Sequence, residues 1–463
     1  MQSDAERGRS GGRPWIAGIV AASAVGFVAL GARDQRSAEG AEVAVPARAV
    51  PRPDVIVVAV DGLGPRDLGV FGGDLAATPV MDELVRASVV YSDAYAPSPW
   101  ASEALRQTLT GRYRDSDDAP PTLVDELGYL AYRSAFVPAH ERHLAAVDGG
   151  ENAIEFDARP EPLGLDDPAG ALADAVAGAA VAWLGVGEQP SLLVVTFADP
   201  RPPHHRYPGL VAEADRPYGG PARAGLEHDD LLRTAPTFEP DDRDRLAALH
   251  ASEVAAVDVA LGKILRAAEE RRATPPHVVL LGLRAPALGR EGRYGLVPSL
   301  APEDLRVPLA IRFSPPLTGS GAAPLTGVLD LPVSLVDVGP TLVDALGRDA
   351  RLDLDGRSIF PGARLPDRSL HAVTTRGVRA AVALFGLRAI ELACDPPRAA
   401  VHARRPSDEP VPALSWTAVS APGLRDEELR SALSSWMAEA GIASIDETSE
   451  LRAAPLDPIE SDR

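Results

Sequence analysis

Pro53-Asp-Val-Ile-Val-Val-Ala-Val-Asp-Gly-Leu-Gly64, continuing Pro65-Arg-Asp-Leu-Gly-Val-Phe-Gly-Gly73, is the stretch from which the fold can be read. Val55 to Val60 is an unbroken apolar run, nearly all β-branched, with no polar residue alternating through it. Such a run fits a strand buried on both faces, as in a parallel sheet. It ends on a carboxylate, Asp61, and the glycines that follow let the chain turn sharply. In an open α/β sheet, ligands bind at the carboxyl ends of the strands. Asp61 is therefore a candidate site residue, and a turn or cap carboxylate is its ordinary alternative.

Working outward, Ser191 to Phe197, His277 to Leu283 and Val307 to Phe313 read as further buried strands, with another near Tyr132 to Val137. Helical patterns lie between them. Thr78 is placed to N-cap a helix with Pro79 at its first position, Asp82 and Glu83 in its first turn, and Val80, Leu84 and Ala87 as its apolar stripe. Ser98-Pro99 opens a helix that runs to Leu109 and closes on Gly111, and Thr122 opens the next. Ala171 to Gly185 is alanine-rich and helical. Asp242 to Arg272 is the longest helix, with Leu246, Leu249, Val257, Leu261 and Ile264 facing a core. Val147 to Gly170 and Arg201 to Pro240, dense in Pro, Gly and charge, read as irregular. Strands alternating with helices imply an α/β fold with a doubly wound, mostly parallel sheet.

Past Pro361 the pattern changes. Gly377 to Phe385 and Leu387 to Leu392 read as a hairpin, and Glu427 to Ala440 as an amphipathic helix. The chain thus divides into a basic tail (1–14), an apolar segment (15–32), a linker (33–52), a core domain (53–365), a small C-terminal antiparallel α+β subdomain (366–443) and an acidic tail expected to fray (444–463).

Trp15 to Ala32 is 18 residues without a charge, flanked by Arg7, Arg9 and Arg13 before it and Arg33 and Arg36 after. That is just long enough to span a bilayer. It reads as a single anchor at an inner or plasma membrane, with the upstream arginines inside and the bulk of the chain outside. A cleaved signal peptide ending at Ala29-Leu-Gly31 is the alternative, and would release the chain. The formal net charge of −20 argues against nucleic acid as a partner. Cys394 is the only cysteine, so no intrachain disulfide forms. The sequence names no ligand or protein partner.

Three further stretches carry a resemblance. Thr78-Pro-Val-Met-Asp-Glu-Leu84, Leu109-Thr-Gly-Arg112 and Ser334-Leu-Val-Asp-Val-Gly-Pro-Thr-Leu-Val-Asp-Ala-Leu-Gly347, together with Tyr91 to Trp100, resemble the sulfatase family of the alkaline-phosphatase superfamily. The resemblance implies that family's fold and sulfuric or phosphoric ester hydrolysis. It also implies a divalent cation, usually calcium, held by paired aspartates, a later Asp-Asn or Asp-His pair and a nucleophile in Cys-x-Pro-Ser-Arg.

Counted without a gap from Leu109-Thr-Gly-Arg112, the nucleophile position falls on Ala101, and Glu103, Ala104 and Leu105 follow where Pro, Ser and Arg are expected. The second aspartate falls on Gly62. Gly282-Leu-Arg-Ala285 stands where Ser-Asp-His-Gly is expected, so the later ligand positions are Leu283 and Arg284. The family's Gly-His reads Gly295-Leu296, and Arg201 replaces the histidine of Asp-Pro-His. Only Asp61 keeps its family identity.

The expectation from sequence is a membrane-anchored, catalytically inactive member with a binding role and no cofactor. The alternative is an ester hydrolase with a rebuilt metal site, calcium included. Arg284 is expected to pair with Asp61 in place of the cation. Ser102, one residue from the nucleophile position, is expected to face elsewhere. His204 and His205 are expected in solvent, and His140 and His143 on the surface.

Overall fold

Val55–Asp61 forms strand β1, and every one of its residues is buried. The computed structural model describes residues 52–71, 73, 77–114, 121–148, 153–158, 172–289, 292–296, 299–315, 325–348, 354–361 and 368–374, and beyond these the strands 380–385, 388–394, 397–406, 414–418 and 451–452 with parts of 431–437. The segment Trp15 to Ala32, the linker up to residue 51 and most of the acidic tail lie outside the described residues. Among the described residues, no helix is long and apolar enough to cross a membrane.

After β1 come α1 (Pro79–Arg86), β2 (Val89–Tyr95), α2 (Ala101–Thr110), α3 (Leu123–Tyr129), β3 (Arg133–Val137), α4 (Glu141–Leu144), α5 (Ala173–Leu184) and β4 (Ser191–Phe197). Then follow α6 (Ala212–Asp215), α7 (His228–Thr234), α8 (Pro240–Arg271), β5 (His277–Arg284) and the two-residue strands β6 (Ala287–Leu288) and β7 (Tyr294–Gly295). The core closes with α9 (Pro302–Leu305), β8 (Arg306–Val307), β9 (Leu309–Arg312), β10 (Gly327–Ser334) and α10 (Val338–Ala345).

The main sheet runs β10-β2-β9-β5-β1-β4-β3, with β8 joined to β2. Its pairings are parallel except for those of β8 and β9. The single strand expected over Val307 to Phe313 is two strands parted at Pro308, which has no N–H to give a ladder. β1 shows why the apolar run lacks alternation. Val55, Val57 and Ala59 pack into one apolar cluster with residues of α2, α3 and α10. Ile56, Val58 and Val60 pack into the other, under α1, α5 and α8. Each face of the strand is a core.

α1 buries Met81, Leu84 and Val85, not the expected stripe of Val80, Leu84 and Ala87. The shift follows from how its N-terminus is held. Thr78 makes no side-chain cap; instead the Asp258 carboxylate of α8 accepts from Val80 N–H (3.2 Å) and Met81 N–H (2.7 Å). α3 is capped as its sequence implies, by a reciprocal Thr122–Asp125 box. The stretch 201–240, expected to be irregular, holds α6 and α7 within it. Leu231 of α7 joins Phe238, Leu246 and Tyr294 in a separate small core that the Pro- and charge-rich composition concealed.

At the amino end of β1, Asp54 accepts from Ser191 N–H (2.7 Å) and from Arg271 Nη1 (2.6 Å), which ties β1 to the start of β4 and the end of α8. In the C-terminal part, β11 (Leu370–Thr374), β12 (Ala380–Phe385), β13 (Arg388–Cys394), β14 (Pro397–Pro406) and β15 (Leu414–Ala418) pair antiparallel in sequence order. The expected hairpin is β12–β13, in a larger sheet than foreseen. Leu451–Arg452, in the tail expected to fray, pairs in parallel with β14. Within the helix expected over Glu427 to Ala440, the described residues are helical and bury Leu433 and Met437.

Candidate functional site

The carboxyl ends of β1, β4 and β5 meet at Asp61, Ala198–Arg201 and Arg284. The β1–β5 ladder is regular from Val55 opposite His277 to Val60 opposite Gly282, and then shifts so that Asp61 stands opposite Arg284. Leu283 is the extra residue of this bulge. A bulge re-aims the side chains that follow it, and its effect is to set Arg284 against Asp61. Arg284 Nε donates to Asp61 Oδ1 at 2.7 Å and Nη2 to Oδ2 at 3.1 Å, a two-pronged grip on a carboxylate whose side chain is 2% exposed. Burial alone would raise the Asp61 pKa, but Arg284, helped by His143, holds the carboxyl well below the usual carboxylate range.

His143, expected on the surface, is 1% exposed. It sits on α4, just after β3, and its Nε2 lies 3.6 Å from Asp61 Oδ2, beyond hydrogen-bond length. Its Nδ1 lies 2.7 Å from Thr196 Oγ1, which also accepts from Ala139 N–H. Burial pushes the His143 pKa down, so the ring is neutral at pH 7. His140 is buried too, and its Nδ1 accepts from Arg142 N–H at 3.0 Å at the start of α4. The pair was misread because its environment comes from the loop after β3, next to the ends of β1 and β4. Position after a buried strand of an α/β sheet was the one available signal.

Gly62 has φ +96°, and a Cβ there would lie 2.4 Å from the Pro200 carbonyl oxygen. The backbone at this position therefore excludes any side chain. Asp199 caps α5, accepting from Ala173 N–H at 2.7 Å and from the Tyr207 hydroxyl. Arg201 is buried near Asp61 and Arg284; burial pushes its guanidinium down to about 10, with Asp61 opposing, so it stays charged at pH 7. Arg142, exposed on α4, and His228 on α7 complete the surroundings of the site. His228 was not singled out from sequence. Its ring lies against Gly295, where an added Cβ would come within 2.8 Å of it, and burial lowers its pKa beside Arg284.

Ala101 opens α2, which packs on β5, and both Ala101 and Leu283 belong to the same dry cluster. Ser102 is buried beside it, and Glu103 in the first turn accepts from Ser98 Oγ at 2.7 Å. Leu296 is buried as well.

A calcium ion takes six to eight oxygen ligands. At the positions the resemblance implies, Asp61 supplies both carboxylate oxygens, and each already accepts from Arg284. Gly62 has no room for a ligand, Leu283 is fully buried hydrocarbon, and Arg284 is itself a cation. These residues do not fit the ion. What they offer is a guanidinium- and imidazole-rich surface around one neutralised carboxylate. His204 is buried against α8 rather than in solvent, and His205 is part-buried.

Solved structures share this architecture at low sequence identity. A 2-O GAG sulfatase, BT1596, is 15% identical with a TM-score of 0.61, over 88% of this chain and 99% of that one. The phosphonate monoester hydrolase of Agrobacterium radiobacter is 16% identical with a TM-score of 0.59, over 84% and 95%. An alkaline phosphatase superfamily protein from Vibrio parahaemolyticus is 15% identical with a TM-score of 0.57, over 85% and 89%. No curated protein matches the sequence. The Sulfatase family profile, in contrast, matches residues 53–348, from the start of β1 to just past α10 and well over half of the chain. The chain belongs to the Sulfatase family.

Proposed function

We propose that this Sulfatase-family protein binds an anionic group at the carboxyl end of β1 without turning it over. The observation that carries the reading is the engagement of both Asp61 oxygens by Arg284. A cation bound there would have to displace a guanidinium and would then find one carboxylate. With Ala101 at the position the family's pattern gives to the nucleophile, no side-chain atom there can attack an ester. Losing a nucleophile costs on the order of 10⁶ in turnover in a well-studied hydrolase. Arg142, Arg201 and Arg284 against Asp61 and Glu227 leave a local excess of positive charge in a chain of net charge −20. Such a patch attracts anions. The sulfatase and the phosphonate monoester hydrolase among the structural neighbours are named for anionic esters, and a sulfate- or phosphonate-type group is the ligand class proposed.

The full chain, purified in detergent, should give no turnover of aryl sulfates or aryl phosphates above background, with or without calcium. It should bind inorganic sulfate in a calorimeter, and Arg142→Glu should weaken that binding several-fold. Turnover that survives repurification and disappears in Ser102→Ala would overturn the first half of the reading, and absence of binding heat the second.

Trp15 to Ala32 supports placing the protein at an inner or plasma membrane with its bulk outside. The expressed chain should then sediment with membranes, resist salt extraction and keep its N-terminus. Recovery of a soluble form beginning near Ala32 would show cleavage instead.

A further inference from the structure

Three buried side chains, two on α8 and one in the loop that follows β4, are unused by the site above. His250 and Glu253 stand one turn apart on α8, so they share a face. His204 descends onto them from the loop. Their relative exposures are 0%, 0% and 3%. One nitrogen from each histidine and one Glu253 oxygen all lie within 4.8 Å of one another. The two rings meet edge-on, with centroids 5.8 Å apart.

The hydrogen bonds around the cluster fix what each ring presents. Asp67, whose other oxygen accepts from Gly64 N–H (2.7 Å), lies 2.9 Å from His250 Nε2. That nitrogen therefore carries the proton, and His250 Nδ1 is left with its lone pair. His204 Nδ1 lies 2.7 Å from Glu253 Oε2, while Glu253 Oε1 accepts from His205 N–H. Among the described residues His250 Nδ1 has no hydrogen-bond partner, although it is sealed from solvent. Buried polar atoms of native proteins are nearly always satisfied, and one without a partner calls for an ion or a water. An imidazole whose second nitrogen donates to a carboxylate is how metal-binding histidines are usually held.

We propose that His204, through Nδ1, His250, through Nδ1, and Glu253 form a zinc site in which the ion takes the place of the His204–Glu253 hydrogen bond, with Asp67 as the carboxylate that positions His250. Two imidazole nitrogens and one carboxylate suit zinc or another late first-row divalent ion, whereas calcium and magnesium take oxygen ligands. The ion would tie the loop after β4, which delivers Arg201 to the Asp61 site, to the longest helix of the core. Because the ligands are buried, the metal would enter as the chain folds.

The test is elemental analysis of the full chain after chelation and reloading with zinc, joined to cobalt(II) titration followed by visible absorption. About one ion per chain is expected, with the intense cobalt bands of a four- or five-coordinate site. Glu253→Gln, which keeps the side-chain shape, should abolish both signals. Asp67→Asn should weaken affinity about 10–100-fold, the usual cost of losing a supporting carboxylate. Wild-type protein that holds only traces of metal and gives no cobalt bands would overturn the site, and so would equal binding by Glu253→Gln.

Discussion

Arg284→Met should lower the free energy of unfolding by roughly 3–5 kcal/mol, because it leaves the Asp61 carboxylate buried without its partner. Asp61→Leu should cost a similar amount by stranding the guanidinium, whose side chain is 15% exposed. The double variant, with hydrocarbon on both strands, should recover much of the loss, since a buried pair is often replaced by apolar groups at little net cost. Denaturant unfolding of all four proteins at pH 7 measures the coupling. A value below about 0.5 kcal/mol, the additivity of independent sites, would show that the two side chains do not depend on each other. The loss in Arg284→Met should shrink as pH falls, because burial raises the pKa of a carboxyl that has lost its guanidinium and favours uptake of a proton. His143 lies 3.6 Å from the stranded carboxylate and can share that proton.

Gly62→Asp, which supplies the second carboxylate of the family pattern, should abolish stable folding rather than restore a cation site. A backbone at φ +96° is strained for any side chain, and the new Cβ would meet the Pro200 carbonyl oxygen at 2.4 Å. A cost of roughly 4 kcal/mol or more is expected, the range reached by clashes and by unpaired charges buried in a core. Calcium should not rescue it. A soluble variant with an unchanged unfolding midpoint would refute the account of why this position is glycine.

The strands legible from sequence were those whose chemistry is uniform. β1, β4 and β5 are dry on both faces, and an unbroken apolar run records that directly. β2 was missed as a strand because Tyr91, Ser92 and Asp93 interrupt it, although all seven of its residues are buried. Its polar groups are satisfied at long range, as when the Tyr91 hydroxyl donates to Ile359 C=O at 2.7 Å, and local sequence cannot show that. β10 was missed for the opposite reason: half of its residues are exposed and it contains Pro332.

At the site, Asp61 could be named because it ends an apolar run, and Arg284 because the resemblance put Gly282 to Ala285 in the place of a ligand motif. The β5 bulge, which decides which of Leu283 and Arg284 faces Asp61, leaves no mark on composition. His143, His204 and His228 were out of reach, since each takes its surroundings from segments tens of residues away.

The bulge at Leu283 also bears on how such a sheet end can change through descent. A carboxylate at Leu283 would enter the dry cluster shared with Ala101, and a neutral residue at Arg284 would orphan Asp61. Each first step toward a cation-holding arrangement is therefore a step down in stability, taken before any ligand could compensate it. The arrangement lies on one side of a fitness valley whose floor is a buried, unpaired charge. Single replacements drift along that side, and crossing needs several changes to arrive together.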